Sequence, residues 1–570
     1  MKKLYFYIKP LVPMMSAGLA IKFLGTMMDL VIPSVLAVII DDYTKRGMEG
    51  KIYLWGGIMV LCAVVSVISN IVANRFAAIS SGRITKSIRH DLFAKISCLS
   101  ARQTDRLTIP SLISRLTSDT YNINHMLSRM QRFGVRGPIL LIGGIIITLT
   151  LDPVLTLILV AMLPFIAVIV FFVTKASIPV YTSVQEALDK LTRTVQENFS
   201  GVRVVKALSK TEYEKNKFEA DNSDLNTKER KAGLIMSVTN PSATVILNVG
   251  LTLVVLAGAF RSNSGLTTPG VIIAFQTYFT IMLNAMLGIT NVFVMYTKGA
   301  ASAKRVAEVL DEPDDIAYTA GVTEDSPYHV EFRNVTFSYN KTEPNLKNIS
   351  FALRRGQTLG IIGATGSGKT TIINLLNRFY DPDEGEILID GRNIRSIPNG
   401  EFRAKFGNAF QSDFMVAAGI GENISYYRDI PAEKLALAAD HASASEFINA
   451  YSDGMKHMVS PRGGNLSGGQ KQRLLISRAL AGEPEILALD DASSALDYKT
   501  DSNLRRALHE NYADTTKLIV TQRISSIRHA DIILVLDDGE VIGQGCHNEL
   551  VKGCETYRII AQTQMGENGV

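Results

Sequence analysis

Three groups of residues in this chain have types and spacing that could do chemistry. The first is a glycine run closed by a cation. Gly363, Thr365, Gly366, Ser367, Gly368, Lys369, Thr370 and Thr371 fit G-x-x-x-x-G-K-[ST] at every fixed position. Such a run binds anions. Its glycines let successive backbone N–H groups turn toward one point with no Cβ in the way. A helix starting there adds the positive end of its dipole. Lys369 reaches terminal phosphates, and Thr370 offers its hydroxyl to Mg²⁺. The second group is Asp490 and Asp491, which follow the apolar run Ile486, Leu487, Ala488 and Leu489. A carboxylate ending a buried strand suits the Mg²⁺ shell, and Asp491 occupies the general-base position beside it. The third is Leu466, Ser467, Gly468, Gly469 and Gln470, ahead of a helical stretch at 471–481. It forms a second anion cup at a helix N-terminus. One cup already serves Lys369, so the second is expected to serve a nucleotide held by another subunit.

The first group needs a strand, a glycine turn and a helix, in that order. The apolar residues 358–362 read as a short buried strand, and 372–376 as the start of a helix. Short strands follow one another from His329 (329–332, 335–339, 350–353), so 329–570 is expected to be an α/β domain. Residues 311–328 are polar and carry Pro and Gly, which reads as a linker.

The first 310 residues have a different character. The chain of 570 residues is 47% hydrophobic and 20% charged, low in charge for a soluble enzyme, and the apolar excess falls in this part. Apolar, nearly charge-free runs occupy 11–40, 52–74, 137–151, 153–174, 232–260 and 262–297. Each is about long enough to cross a hydrocarbon core of roughly 30 Å, which predicts six spans. The first lacks a small-residue cleavage site and reads as a span, not a signal peptide. Pro33 predicts a kink in it. Asp152-Pro153 makes the third and fourth spans a tight hairpin.

Charge sets the orientation. Ten Lys and Arg lie in 83–136 and eleven in 175–231, against three in 41–51 and none at the Asp152 turn. The positive-inside rule puts both termini and both long segments in the cytoplasm. This clustering also accounts for the net charge of +5 without nucleic acid. Ile84, Ile88, Leu92, Ile96 and Leu99 recur at helical spacing, so the membrane helices extend into the cytoplasm. They are expected to turn back near 104–111 and 209–218, where the turns can dock on a motor.

Some residues carry a sharp and a bland reading together. Lys22 and Asp29 share one face of the first span. Lys22 is expected to snorkel to the cytoplasmic edge. Asp29 either lines a polar cavity or pairs with a neighbouring helix. Asn284 and Asn291, with Met282, Met286 and Phe293, form a stripe that either packs or meets apolar ligands. Cys62, Cys98, Cys546 and Cys554 are scattered and read as reduced thiols.

The combination resembles the ATP-binding cassette (ABC) transporters. More narrowly, it resembles exporter-type half-transporters: an α-helical membrane domain of six long helices (1–310), a linker (311–328) and an α/β P-loop ATPase cassette (329–570). The carriers are the Lys369 run, Leu466 to Gln470, and Leu489-Asp490-Asp491-Ala492-Ser493-Ser494-Ala495-Leu496-Asp497, with residues 197–205 similar to the second long cytoplasmic segment. The resemblance implies ATP and Mg²⁺ as cofactors. It implies that Tyr339 stacks on adenine, that Gln411 senses Mg²⁺ and the membrane domain, and that Thr370, Gln411 and Asp490 form the metal shell. Residues 494–497 would signal between sites. Two cassettes would pair head to tail, each ATP lying between one chain's lysine loop and the other's Ser467, Gly468, Gly469 and Gln470.

Departures from the pattern are informative. The family usually has glutamate where Asp491 stands, and histidine where Gln522 stands between Thr521 and Arg523. The acidic residue common before the signature is missing from 459–463. A carboxylate withdrawn by more than about 1 Å can cost roughly 10²-fold in rate. Binding needs neither group, so ATP binding should survive while hydrolysis weakens. The pattern resembles the degenerate subunit of heterodimeric bacterial multidrug exporters. The expected partner is a second half-transporter with an intact catalytic glutamate, in a plasma membrane, moving amphipathic drugs, lipids or peptides. A siderophore importer built on the same fold and a nucleotide-gated regulator or channel remain open alternatives.

Overall fold

The computed structural model describes residues 2–313, 316, 318–319, 321, 323–411 and 414–565. The chain divides into two compact units, Met1–Cys98 with Ile109–Glu312, and Leu99–Thr108 with Pro313–Val570.

The first unit is helical. Its long helices are Val12–Val38, Glu49–Ser97, Arg136–Leu151, Pro153–Ser200, Thr211–Ser237, Thr239–Asn263 and Pro269–Leu310. Five described helical stretches are long and apolar enough to cross a membrane. The expected fourth span begins as a shorter apolar run, Pro153–Phe165, within its 48-residue helix. At about 1.5 Å per residue, the 49-residue helix Glu49–Ser97 is more than twice as long as a hydrocarbon core is thick. Its polar half therefore leaves the membrane, as the heptad-like run of isoleucines and leucines requires.

Small residues let the first two spans approach. Ser66, Ser69, Ala73, Ala77 and Ser80 are buried on one face of Glu49–Ser97. A Cβ at Gly25 would come within 2.9 Å of Ser69 Cβ, so glycine is needed for the contact. Pro33 lies inside Val12–Val38. The hairpin at Asp152 forms because that carboxylate caps the next helix, accepting from the N–H groups of Val154 (2.9 Å) and Leu155 (3.2 Å). Its other oxygen accepts from Arg261 Nε at 3.0 Å.

Two expectations in this unit change. Lys22 does not snorkel. It is 3% exposed, with Nζ donating to Asn74 Oδ1 at 3.3 Å, because the second span closes over it. The second cytoplasmic turn spans 201–210, so it begins earlier than 209–218 and overlaps it only at Ser209 and Lys210. Pro153–Ser200 ends at Gly201, a short helix Val202–Ala207 follows, and Ser209 takes a positive φ before Thr211–Ser237 begins. Asp29 pairs with neighbouring helices, accepting from Arg136 at 2.9 Å and from the Ser66 hydroxyl. Met282 is buried against Phe279 and Leu155, Asn284 and Phe293 are exposed, Met286 is half-buried, and the side chain of Asn291 lies outside the described residues. The four cysteines are free thiols.

Among the described residues the second unit holds ten strands: β1 Val330–Phe337, β2 Leu346–Leu353, β3 Thr358–Gly363, β4 Glu384–Ile389, β5 Arg392–Asn393, β6 Phe406–Ala409, β7 Ile486–Asp490, β8 Thr516–Val520, β9 Ile532–Asp537 and β10 Glu540–Gly545. Four form an antiparallel sheet ordered β2-β1-β4-β5. Six form a second sheet ordered β10-β9-β3-β8-β7-β6, parallel except at β9/β10. Its central strands read as continuous apolar runs because both faces are covered. Gly363, Asp490 and Val520 end β3, β7 and β8 along one edge, where ligands bind in open sheets of this kind.

The segment Leu99–Thr108 belongs to this unit. Its helix Ala101–Leu107 is capped by a reciprocal box between Ser100 and Gln103. Tyr380 donates its hydroxyl to Asp105, Arg102 lies 3.6 Å from Asp383, and Gln103 Nε2 donates to Pro313 O at 2.6 Å. The turn expected near 104–111 is thus tied to the α/β unit.

Candidate active site

β3 delivers the chain into the glycine turn, and Lys369–Leu376 leaves it as a helix. Glycine is demanded sterically at the strand end: a Cβ at Gly363 would stand 2.2 Å from Leu536 O. Gly368, with φ 98°, turns the backbone into the helix through a conformation that side-chain-bearing residues avoid. The loop, the ends of β7 and β8, and one further loop enclose a cleft of about 190 Å³. Thr365, Gly366, Gly368, Lys369, Thr370, Thr371, Gln411, Asp490, Asp491 and Gln522 all line it. Residues named from four separate parts of the sequence therefore meet in one place.

The charges in the cleft are under-compensated. Lys369 Nζ donates to the carbonyls of Gly363 (3.0 Å) and Ala364 (2.6 Å) in its own loop. Burial lowers its pKa from the ordinary lysine value, against the opposing pull of Asp490 and Asp491. Asp490 is 2% exposed and accepts from the Thr370 hydroxyl. Burial raises the pKa of Asp490, and the charge of Asp491 raises it further. Burial also raises the pKa of Asp491, moderated by the Ser494 hydroxyl, Arg523 and Lys369. Ser367 Oγ is buried with no hydrogen-bond partner among the described residues, beside the lysine. An orphaned hydroxyl, a cation folded onto carbonyls and turned-in glycines fit a polyphosphate. Two adjacent carboxylates, one buried (Asp490) and one half-buried (Asp491), with a threonine hydroxyl fit a hard divalent cation.

Other expected residues lie beside or away from the cleft. Tyr339 borders it without lining it. Its hydroxyl meets Thr371 Oγ1 at 3.4 Å and accepts from Asn374 at 3.1 Å, and its ring stands edge-on to Phe337 and Tyr380. Ser467, Gly468, Gly469 and Gln470 are absent from the lining. Ser467 caps the helix Gly468–Leu480 in a reciprocal box with Gln470, and both Ser467 and Gly468 face solvent. Asp497 caps the helix Tyr498–Asn511 through Thr500, and the Arg523 guanidinium donates to Ser494 O (3.1 Å) and Leu496 O (3.3 Å).

Three residues at the site carry no motif signal. Asn345 and Thr521 line the cleft. Asn345 Oδ1 accepts from Tyr339 N–H at 3.1 Å, and its carbonyl packs against Gly368, tying the tyrosine to the glycine turn. Gln564 bonds both sides of Arg523 from the far end of the chain. Among the described residues, the one group of three metal-competent side chains with the spacing of a site is His329, Asp390 and Glu485.

Comparisons with known proteins agree with this geometry. Residues 15–286 match the model of the ABC transporter transmembrane region, and 346–494 match the model of the ABC transporter. The chain is 31% identical to the uncharacterized ABC transporter ATP-binding protein YfiB of Bacillus subtilis over 571 residues, covering 100% of this chain and 99% of the relative. It is 32% identical to YknU of the same organism over 576 residues, covering 99% and 97%. A solved structure titled as a bacterial Atm1-family ABC exporter with ATP bound superposes with a TM-score of 0.84 at 24% identity, covering 98% and 99%, a likeness of fold. Matched end to end by such relatives, with membrane region and cassette in one polypeptide, the chain belongs to the ABC transporters as a half-transporter that binds and hydrolyses ATP and has the fold of an exporter.

Proposed function

We propose that this chain is the degenerate-site half of a heterodimeric ATP-driven exporter. One observation carries the reading: Asp491 and Gln522 line the same cleft as an intact Lys369 loop, while the Ser467–Gln470 turn is complete and lies outside it. The chain's own cleft then holds ATP and hydrolyses it poorly. Its signature turn completes the partner's cleft, where hydrolysis runs. Thr370, Gln411 and Asp490 are the residues that would hold Mg²⁺, which supplies charge neutralisation at the phosphates when bound. The burial of Asp490, and the fact that among the described residues neither Asp490 nor Asp491 makes an ion pair, support that assignment. Ala101–Leu107 is the first coupling element between membrane helices and cassette, anchored through Tyr380 and Asp383. The Lys- and Arg-rich cytoplasmic segments support a plasma-membrane orientation with both termini inside. The cargo is an amphipathic drug, lipid or peptide.

The test is purification through a tag on this chain followed by mass spectrometry of what accompanies it. The expected companion is a second half-transporter with glutamate after its Walker B aspartate and histidine at its switch position. A stable homodimer with normal turnover refutes the reading.

A further inference from the structure

Residues 521–523 leave the end of β8 and reach the four-residue helix Ile524–Ile527. Thr521 keeps a last bond to β3, its N–H donating to Ile361 O at 3.1 Å, and its hydroxyl accepts from Arg523 N–H at 3.0 Å. Beyond that, a side chain from a distant helix holds the stretch. Gln564 Nε2 donates to Gln522 O at 2.7 Å, and Gln564 Oε1 accepts from Ile524 N–H at 2.8 Å. The two bonds bracket Arg523, whose guanidinium reaches the carbonyls of Ser494 and Leu496.

The helix Glu555–Met565 explains why Gln564 can do this. Tyr557, Ala561 and Gln564 recur at i, i+4 and i+7, on one face. Tyr557 and Ala561 are fully buried in a cluster with Ile524, Ile527, Ile533 and Leu550. The Tyr557 hydroxyl and His547 Nδ1 share a hydrogen bond of 2.8 Å. The apolar face anchors the helix, and Gln564 projects from its end as an arm. The bracket needs a donor and an acceptor on one planar group, which an amide supplies and a neutral-pH carboxylate does not.

We propose that Gln564 is a positioning residue for the switch segment. It fixes the backbone on both sides of Arg523, so that the side chain at 522 is held toward the cleft while Arg523 holds the 494–496 loop. The proposal rests on reading position 522 as the switch of the ATP site. Displacement of such a group by about 1 Å can cost on the order of 10²-fold, so loss of the clamp acts on rate before binding.

The experiment uses the full chain as purified with its accompanying subunit, assayed for MgATP hydrolysis in two backgrounds. One is native; the other carries Asp491→Glu with Gln522→His. Gln564→Met removes both bonds, and Gln564→Glu keeps only the acceptor. In the background where this chain's site hydrolyses, Gln564→Met is expected to lower kcat about tenfold with KM for ATP within twofold, and Gln564→Glu to fall between. Amide exchange at Ile524 should accelerate about tenfold while the amides of 557–561 stay protected. A tenfold loss already in the native background keeps the clamp but overturns the degenerate-site reading. A larger loss in the restored background supports both. The clamp is overturned by kcat within twofold of the parent in both backgrounds, or by unchanged Ile524 exchange. A loss that comes with raised KM and unprotected helix amides also overturns it, marking a merely structural residue.

Discussion

The two edges of the six-stranded sheet carry charged clusters of similar size and opposite character. At the edge where the parallel strands begin stand His329, Arg355, Asp390, Lys405 and Glu485, beside Thr516, the first residue of β8. Arg355 reaches Asp390 and Glu485, both at 3.0 Å, and Lys405 reaches Glu485 at 3.1 Å. Each carboxylate there has a cation. At the edge where the strands end, among the described residues, Lys369 makes no ion pair with Asp490 or Asp491 and turns to its own loop carbonyls. Compensation is complete where charge serves the fold. It is withheld where charge must meet something that arrives, which is why burial raises the pKa of both cleft aspartates.

The contrast predicts that mutations at the strand ends change function without changing the fold, and the largest effect lies at the exposed cup. In the assembled transporter, on the function proposed above, Ser467→Arg should lower steady-state phosphate release by more than about 10²-fold, because a bulky cation would replace the turn proposed to complete the partner's site. On the same proposal Asp491→Asn should lower it far less, since an aspartate there would be a base already drawn back. Equal losses, or a greater loss from Asp491→Asn, would identify Asp491 as the working base.

Next in size, Lys369→Ala should weaken retention of ATP at this chain's own site by roughly 10²-fold, the scale of one charge-assisted phosphate contact. The midpoint of thermal unfolding should move little, because the ammonium holds only its own loop. Filter retention of labelled ATP and a melting curve on the same preparation measure the two. A large fall in melting temperature would break the contrast.

The strand ends were legible in sequence because their residue types are the chemistry. Only glycine fits between Gly363 and the Leu536 carbonyl, and a lysine and threonine follow in fixed register. Asp490 was legible because β7 is apolar throughout before it. Residues that reach the site through tertiary packing gave no local signal. Asn345 arrives by strand pairing, and Gln564 by helix packing 42 residues from its partner. The second cytoplasmic turn was misplaced because Gly201 ends its helix inside a segment of otherwise unbroken helical period. Lys22 was misjudged because hydropathy cannot show that Asn74 faces it across two small-residue helix faces.

At the strand beginnings the expected effects are on stability. Lys405→Met leaves Glu485 with Arg355 alone and should cost about 1 kcal/mol, a fall of roughly 2–4 °C in the cassette's melting temperature. ATP hydrolysis per folded molecule should be retained. A loss of activity without a loss of stability would show that this edge also serves function.

The smallest effect should appear with pH, at His329. The ring is 2% exposed, its Nδ1 shares a 2.6 Å hydrogen bond with Thr516 Oγ1, and its Nε2 has no hydrogen-bond partner among the described residues. Asp390 and Glu485 stand 3.9 and 3.7 Å from that nitrogen, but Arg355 and Lys405 already occupy their charge. Burial is the largest influence and lowers the pKa of His329. The two cations lower it further, against the opposing pull of the two carboxylates. A histidine whose folded pKa lies below its unfolded value, near 6.5, contributes stability that is present above the unfolded pKa. That stability is lost as pH falls through the folded pKa, because the unfolded chain then binds the proton more readily. The cassette's melting temperature should therefore decline as pH drops below about 6.5. His329→Gln, which has no proton to take up, should flatten that decline while lowering the plateau at pH 8 through its poorer fit against Thr516. Thermal unfolding of the full chain between pH 5 and pH 8 measures both curves. Parallel slopes in parent and variant would assign the pH dependence to other groups and leave the compensation at this edge complete even for its histidine.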